Sequence, residues 1–149
     1  MRRADIYIEI ENTSPKASEK WYGYILECKV DGETKTREGF GKIEGTYHQA
    51  VLTALIEALE RFRESCEVHV HTENEFILNM IDMNLEKWAG NEFKTSRGKL
   101  VANQEEWVRI WGLSNKQLII TEHGDHEYAS WLESAIRREK EKDEIGTGK

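Results

Sequence analysis

The chain has a single proline, two cysteines and no apolar run approaching the ~20 residues of a membrane-spanning helix. It is also short of positive charge. Its 21 lysines and arginines stand against 28 aspartates and glutamates, a formal charge of −7, with a pI near 5.3. The first absence excludes a helical membrane span, and Met1-Arg2-Arg3 leads directly into a strand pattern rather than an apolar signal segment. Cys28 and Cys66 lie far apart and outside any metal-ligand spacing, which excludes a disulfide scaffold or a zinc ribbon. Two reduced thiols in a cytoplasmic protein are expected, with one disulfide as the alternative. The acidic balance excludes nucleic-acid binding by bulk electrostatics but leaves room for a local basic patch. At 149 residues the chain suits one domain around one core. That domain is expected to be monomeric and to span residues 1–140, with 141–149 a charged, disordered tail.

The clearest pattern in the chain runs from Thr46 to Phe76. Leu52, Leu55, Ile56, Leu59 and Phe62 recur at the spacing of one helical face, and Thr46 with Gln49 makes a capping box. After Glu64-Ser65 the period changes to two, placing Val68, Val70 and Thr72 on one face and His69, His71 and Glu73 on the other. Asn74 can cap a following helix. Upstream, Ile6, Ile8 and Ile10 alternate with Tyr7, Glu9 and Glu11 as a first strand. Asn12 to Lys20 reads as a loop, and Trp21 to Val30 as a second strand. Asp31-Gly32 supplies the positive-φ pair of a tight hairpin into a third strand, Thr34 to Ile43. Downstream come a basic turn around Ser96-Arg97-Gly98, a second expected capping box at Asn103 and Glu106, and a helix burying Trp107, Ile110 and Trp111. A short strand at Leu118-Ile119-Ile120 and a last helix through Leu132, Ala135 and Ile136 follow. The order predicts an α/β fold: a mixed five-stranded sheet, three antiparallel strands then two parallel, with helices on both faces.

This order and its motifs resemble the ribonuclease H family, specifically the bacterial type I enzymes, from about Asp5 to Ile136. Trp21 to Leu26 is similar to the family's glycine-containing second strand, and Thr46 to Leu52 to the start of its first helix. Thr72-Glu73-Asn74 sits where a Thr-Asp-Ser ends the fourth strand. Trp88 to Trp107 is similar to the basic handle, and Glu122 to His126 to the histidine loop before the last helix.

The resemblance implies hydrolysis of the RNA strand of an RNA–DNA hybrid by four carboxylates holding two divalent ions, Mg²⁺ or Mn²⁺. Carried over by residue, that set is altered. Glu9 or Glu11 stands for the first aspartate, Val51 for the helix glutamate, Glu73 for the second aspartate and Glu133 for the third, while His123 matches the loop histidine. Catalytic and metal roles therefore fall to Glu9, Glu11, Glu73 and Glu133, with His123 assisting. Lys94, Arg97, Lys99, Asn12, Thr13 and His48 are the expected nucleic-acid contacts.

Each longer side chain shifts a metal that demands near-ideal geometry, and Val51 cannot ligate at all. Three readings follow: a degenerate site that binds hybrid or duplex with weak or no hydrolysis, an active metal-dependent endoribonuclease, or a protein-interaction module on the same fold. A different metal site, His71 with Glu73, would suit Zn²⁺ or Mn²⁺. Trp88, Trp107 and Trp111 can stack on bases, but at helical spacing they read as core.

Overall fold

The computed structural model describes residues 1–147. Strands β1 (Arg2–Ile10), β2 (Ser18–Val30) and β3 (Glu33–Gly45) form an antiparallel meander, while β4 (Cys66–His71) and β5 (Leu118–Glu122) extend the sheet in parallel from the other edge of β1. The spatial order is β3-β2-β1-β4-β5. Five helices complete the chain: α1 (Tyr47–Glu60), α2 (Glu75–Met83), α3 (Leu85–Gly90), α4 (Gln104–Ser114) and α5 (Ala129–Thr147). No helix among the described residues is long and apolar enough to cross a membrane.

The alternation in β1 divides two layers. Ala4, Ile6, Ile8 and Ile10 pack into the main core with Val51, Leu52, Leu55 and Leu59 of α1 and Trp107 and Ile110 of α4. Tyr7, on the opposite face, joins Ile25 and Leu132 of α5 in a smaller cluster. Both faces of the strand are covered, so even Asp5 and Glu9 are buried. The tight fit of α5 on β2 depends on Gly23, because a Cβ there would lie 2.9 Å from Ile136 Cγ1 and 3.0 Å from the Phe40 ring.

Local signals decide several boundaries. Gln49 N donates to Thr46 Oγ1 at 3.1 Å and Thr46 N to Gln49 Oε1 at 2.9 Å, closing the expected capping box. Asp31 and Gly32 take φ of 54° and 80° and turn β2 into β3. Asn74 Oδ1 accepts from Ile77 N and starts α2.

Other expectations are corrected. Asn103 does not cap α4 with its side chain: it sits at φ 60° in the left-handed region, an excursion Asn tolerates, and makes no side-chain cap bond. The loop expected over Asn12 to Lys20 ends early, since β2 begins at Ser18. Lys20 is fully buried and folds its ammonium back to Lys16 O and Ser18 Oγ, both at 2.7 Å. The tail expected from residue 141 is helical over its described part, because α5 continues to Thr147. Lys140 reaches Glu11 at 3.1 Å and Lys42 reaches Asp143 at 2.8 Å, tying the extension to the sheet. Gly148 and Lys149 lie outside the described residues.

Candidate functional site

Because β1 and β4 run parallel side by side, their carboxyl ends bring Glu9 and Glu73 to one edge of the sheet. The loop after β5 adds Asp125 and His126 there. Glu9, Glu11, Thr13, Glu73, Glu133 and Lys140 line a single cavity of about 430 Å³. The sheet thus gathers the four glutamates singled out in the sequence.

Their environments differ sharply. Glu9 is 6% exposed. Its Oε1 lies 3.0 Å from His126 Nε2, a side chain itself almost wholly enclosed. The ring nitrogen also faces Ile8 O at 3.3 Å, and Glu9 Oε1 has no aligned hydrogen bond. The contact is a charge contact whose N–H is directed at the carbonyl. Burial opposes a charged His126, but Glu9 and the Ile8 carbonyl outweigh it and raise the imidazole pKa. Tyr128 N lies 3.2 Å from His126 Nδ1, which holds the ring with Nε2 turned to Glu9 and the Ile8 carbonyl.

The Glu73 carboxyl is pushed up from its ordinary value. The charge of Glu9 is the main cause, followed by partial burial and then Asp125, which hydrogen-bonds to it.

Glu11 faces the rim of the same cavity but is neutralised by Lys140 and accepts Trp21 N at 3.3 Å. Glu9, not Glu11, is the strand-one acid that faces Glu73. Val51 is 0% exposed and belongs to the hydrocarbon core.

The remaining expected residues separate. His123 turns to α2, with Nδ1 2.5 Å from Glu75 Oε2 and Nε2 3.4 Å from Asp82 Oδ2. Glu75 is the chief reason its pKa is raised. His71 bonds Asp5 Oδ1 at 2.8 Å and stacks on Tyr7 at 4.3 Å, so it is not paired with Glu73. His48 accepts from Asn74 Nδ2 at 2.9 Å and stacks on Phe76, and burial lowers its pKa, leaving a neutral hydrogen-bonding group. Asn12 Oδ1 is taken by Ser14 N at 2.9 Å in a short turn, with Thr13 beside it on the cavity wall.

Lys94, Arg97 and Lys99 are exposed on a hairpin closed by the Lys94–Leu100 bridge and by Gly98 N to Thr95 O at 2.9 Å. Glu92 sits 3.5 Å from Lys94. Trp107 is buried and packs edge-on to Trp88 at 5.3 Å, as core residues.

Asp125 is what the sequence reading left out of the site, while His126, expected at the site or its rim, is the histidine that reaches Glu9. The signal for Asp125 was present: an acid occupies the position where the related loop pattern has glycine.

Glu9, Glu73, Asp125 and Glu133 offer the hard oxygen donors that Mg²⁺ or Mn²⁺ prefers. Yet among the described residues no three acidic, histidine or cysteine side chains are spaced to hold a metal ion. The inner oxygen of Glu9 faces an imidazole, and position 51 is hydrocarbon.

A mixed five-stranded sheet with this order, with acids gathered at the carboxyl ends of β1 and β4, defines a ribonuclease-H-like α/β protein. A solved structure described as a type 1 RNase H with the type 2 active-site motif covers 93% of this chain and 70% of its own, with a TM-score of 0.71 at 13% identity. A foamy viral protease–reverse transcriptase in complex with RNA/DNA hybrid covers 91% of this chain and 19% of its own, with a TM-score of 0.65 at 15% identity.

In sequence, the ribonuclease H of Acetivibrio thermocellus is 29% identical over 133 residues, covering 86% of this chain and 88% of that enzyme. That of Campylobacter curvus is 31% identical over 113 residues, covering 76% and 68%. For the Actinobacillus succinogenes enzyme the match is 31% over 88 residues, and the chain spans only 55% of its length. No protein-family model matches. The chain belongs to the ribonuclease H family.

Proposed function

We propose that this protein binds RNA–DNA hybrid, or another nucleic-acid duplex, and hydrolyses it weakly or not at all. The observation that carries the reading is Val51, buried in hydrocarbon where the family resemblance implies a metal-binding glutamate. Two further features support it. Glu9 is engaged by His126 inside the protein, and three of the implied acids are glutamates, whose extra methylene displaces the carboxylate from an aspartate's position. Displacements of about 1 Å cost on the order of a hundredfold in such chemistry.

Binding would rest on the hairpin cations Lys94, Arg97 and Lys99 as phosphate contacts, with the loop of Asn12 and Thr13 meeting the backbone or a 2′-hydroxyl. The foamy viral neighbour that holds RNA/DNA hybrid is of the same fold, which supports hybrid as the first duplex to test.

The test is a labelled-hybrid assay run in Mg²⁺ and in Mn²⁺, alongside a binding titration against salt. The proposal expects salt-dependent binding without efficient cleavage. Each cation removed from the hairpin should lower the salt slope by about 1. Changing Val51→Glu together with Glu9→Asp, Glu73→Asp and Glu133→Asp should raise cleavage.

A second reading is favoured by Asp125 beside Glu73: a metal-dependent endoribonuclease in which Asp125 supplies the carboxylate that position 51 lacks. Cleavage by the unaltered protein that disappears in Glu73→Gln and in Asp125→Asn would establish it and sink the first reading. Absence of any salt-dependent hybrid binding would leave a protein-interaction role on this fold.

A further inference from the structure

At the opposite end of the sheet lies a different kind of cavity. It is about 770 Å³ in volume and is formed where β2 and β3 project past the end of α1. Its floor is apolar, made by Ala4, Leu26 and Phe62 with Cys28 and Cys66. Its rim carries five cations, Arg2, Lys35, Arg37, Arg61 and Arg63.

Among the described residues two acids, Glu27 and Glu64, line it; Glu64 offsets Arg2 and Glu33 lies 3.4 Å from Lys35, which leaves Arg37, Arg61 and Arg63 as the cations without an ion pair. Glu27 stands opposite Asp5 in the β1–β2 register, on the other face of the sheet from Leu26 and Cys28, and accepts from Tyr128 there. Glu64 is taken by Arg2 at 2.9 Å. Arg61 lies over the Tyr24 ring at 5.4 Å. Arg37 and Arg63 have no ion pair among the described residues.

Clustered unneutralised guanidinium groups repel one another, so an acidic chain that collects them around a concavity gains most when an anion occupies it. Arginine forks bind phosphate oxygens two at a time, and their planes stack on rings. The volume lies in the ~300–1,000 Å³ range of small-ligand sites. An apolar floor beneath a cationic rim suits a ligand with one flat apolar part and several negative charges. A duplex backbone would instead call for cations spread along an extended groove rather than gathered around one pocket. The cavity is separate from the acidic site: Arg2 and Glu9 stand about 23 Å apart along β1 at ~3.3 Å per residue.

We propose that this cavity binds a nucleoside polyphosphate, with the base on Phe62 and Leu26 and the phosphates held by Arg37, Arg63 and their neighbours. This goes beyond the hybrid-binding reading and stands or falls without it.

The test uses the full chain with ATP in metal-free buffer at physiological salt, followed by calorimetry and by amide shifts in NMR. Saturable binding is expected, with shifts at Leu26, Thr36 and Phe62. Arg37→Ala with Arg63→Ala should weaken it by about tenfold to a hundredfold. Adenosine and inorganic triphosphate, each alone, should bind more weakly than ATP. Triphosphate binding as tightly as ATP would overturn the nucleotide assignment and leave a plain anion sink. Shifts confined to the hairpin of Lys94 and Arg97, or no saturation at millimolar ATP, would overturn the site itself. If hybrid duplex displaces bound ATP and itself shifts Thr36 and Phe62, the cavity is a nucleic-acid contact and the proposal falls.

Discussion

The two ends of β1 make opposite electrostatic choices on the same sheet. At the carboxyl end the charge is negative and drawn inward: Glu9 is buried against His126, and Glu73 and Asp125 share a hydrogen bond. At the amino end the charge is positive and left outside, with Arg37, Arg61 and Arg63 exposed around a cavity. The formal charge of −7 hides this separation. The difference teaches where stability and binding reside. A buried charge that depends on one partner is coupled to folding, whereas an exposed cation costs the fold little and is available to a ligand.

The largest effect that would break this comparison is at the inward end. His126→Ala should destabilise the protein by about 3–5 kcal/mol, since it leaves Glu9 buried without its partner. Pairing Glu9→Leu with His126→Leu should recover much of that loss in urea unfolding. If the single change proves silent, the acidic end is not coupled to folding.

Next in size is Gly23→Ala beneath α5. A Cβ 2.9 Å from Ile136 must push the helix or its side chain aside, at a cost of about 1–3 kcal/mol. Calorimetric melting measures it, and an unchanged midpoint would mean that α5 yields freely.

A smaller effect is a pH dependence. His69 Nδ1 and Nε2 lie 2.7 Å from Glu122 and Glu67, and although burial opposes its charge, the two carboxylates outweigh burial and raise its pKa. The stabilisation from this group is therefore complete below the unfolded value of about 6.5 and is lost as pH rises through the folded value. Melting temperature should fall between about pH 6 and pH 8, and His69→Gln should flatten that fall. A slope identical in both proteins would assign it elsewhere.

Smallest of all, Arg37→Ala and Arg63→Ala should shift stability by no more than about 0.5 kcal/mol. A loss of 2 kcal/mol or more, on the scale of a broken buried pair, would show that the outward end is structural after all.

How much of this was legible in sequence depends on how local each signal is. Thr46 and Gln49 announce the start of α1 because the two side chains need only each other. Asn103 and Glu106 carry a similar spacing, but the chain entering α4 from the hairpin holds Asn103 at positive φ, and the box does not form. Alternation put Glu9 and Glu11 on one face and had no means of separating them. The pairing of β1 with β4, and His126 brought in from 117 residues downstream, select Glu9. Loops have no period, so the route that carries Asp125 to Glu73 while turning His123 towards Glu75 was invisible. Val51 was the reverse case: an apolar residue in an apolar helix face reads as core, and it is core. Its functional meaning came only from the family resemblance.

The placement of β1 also has a consequence for how the chain folds. Its antiparallel partner follows within a short loop, so the β1–β2–β3 meander closes from local contacts. Its parallel partner arrives only with Cys66–His71, and the last strand only with Leu118–Glu122. Until β4 emerges one edge of the central strand, with Ile6 and Ile8 beside it, has no neighbour, and after that β4 itself waits for β5. During synthesis from the amino terminus that edge is open to pairing with another chain, and α1, emerging directly after the meander, is the first element able to cover its apolar face. The open edge thus passes from β1 to β4, and the long interval between β4 and β5 is the stretch of synthesis in which this protein is most exposed to misassembly.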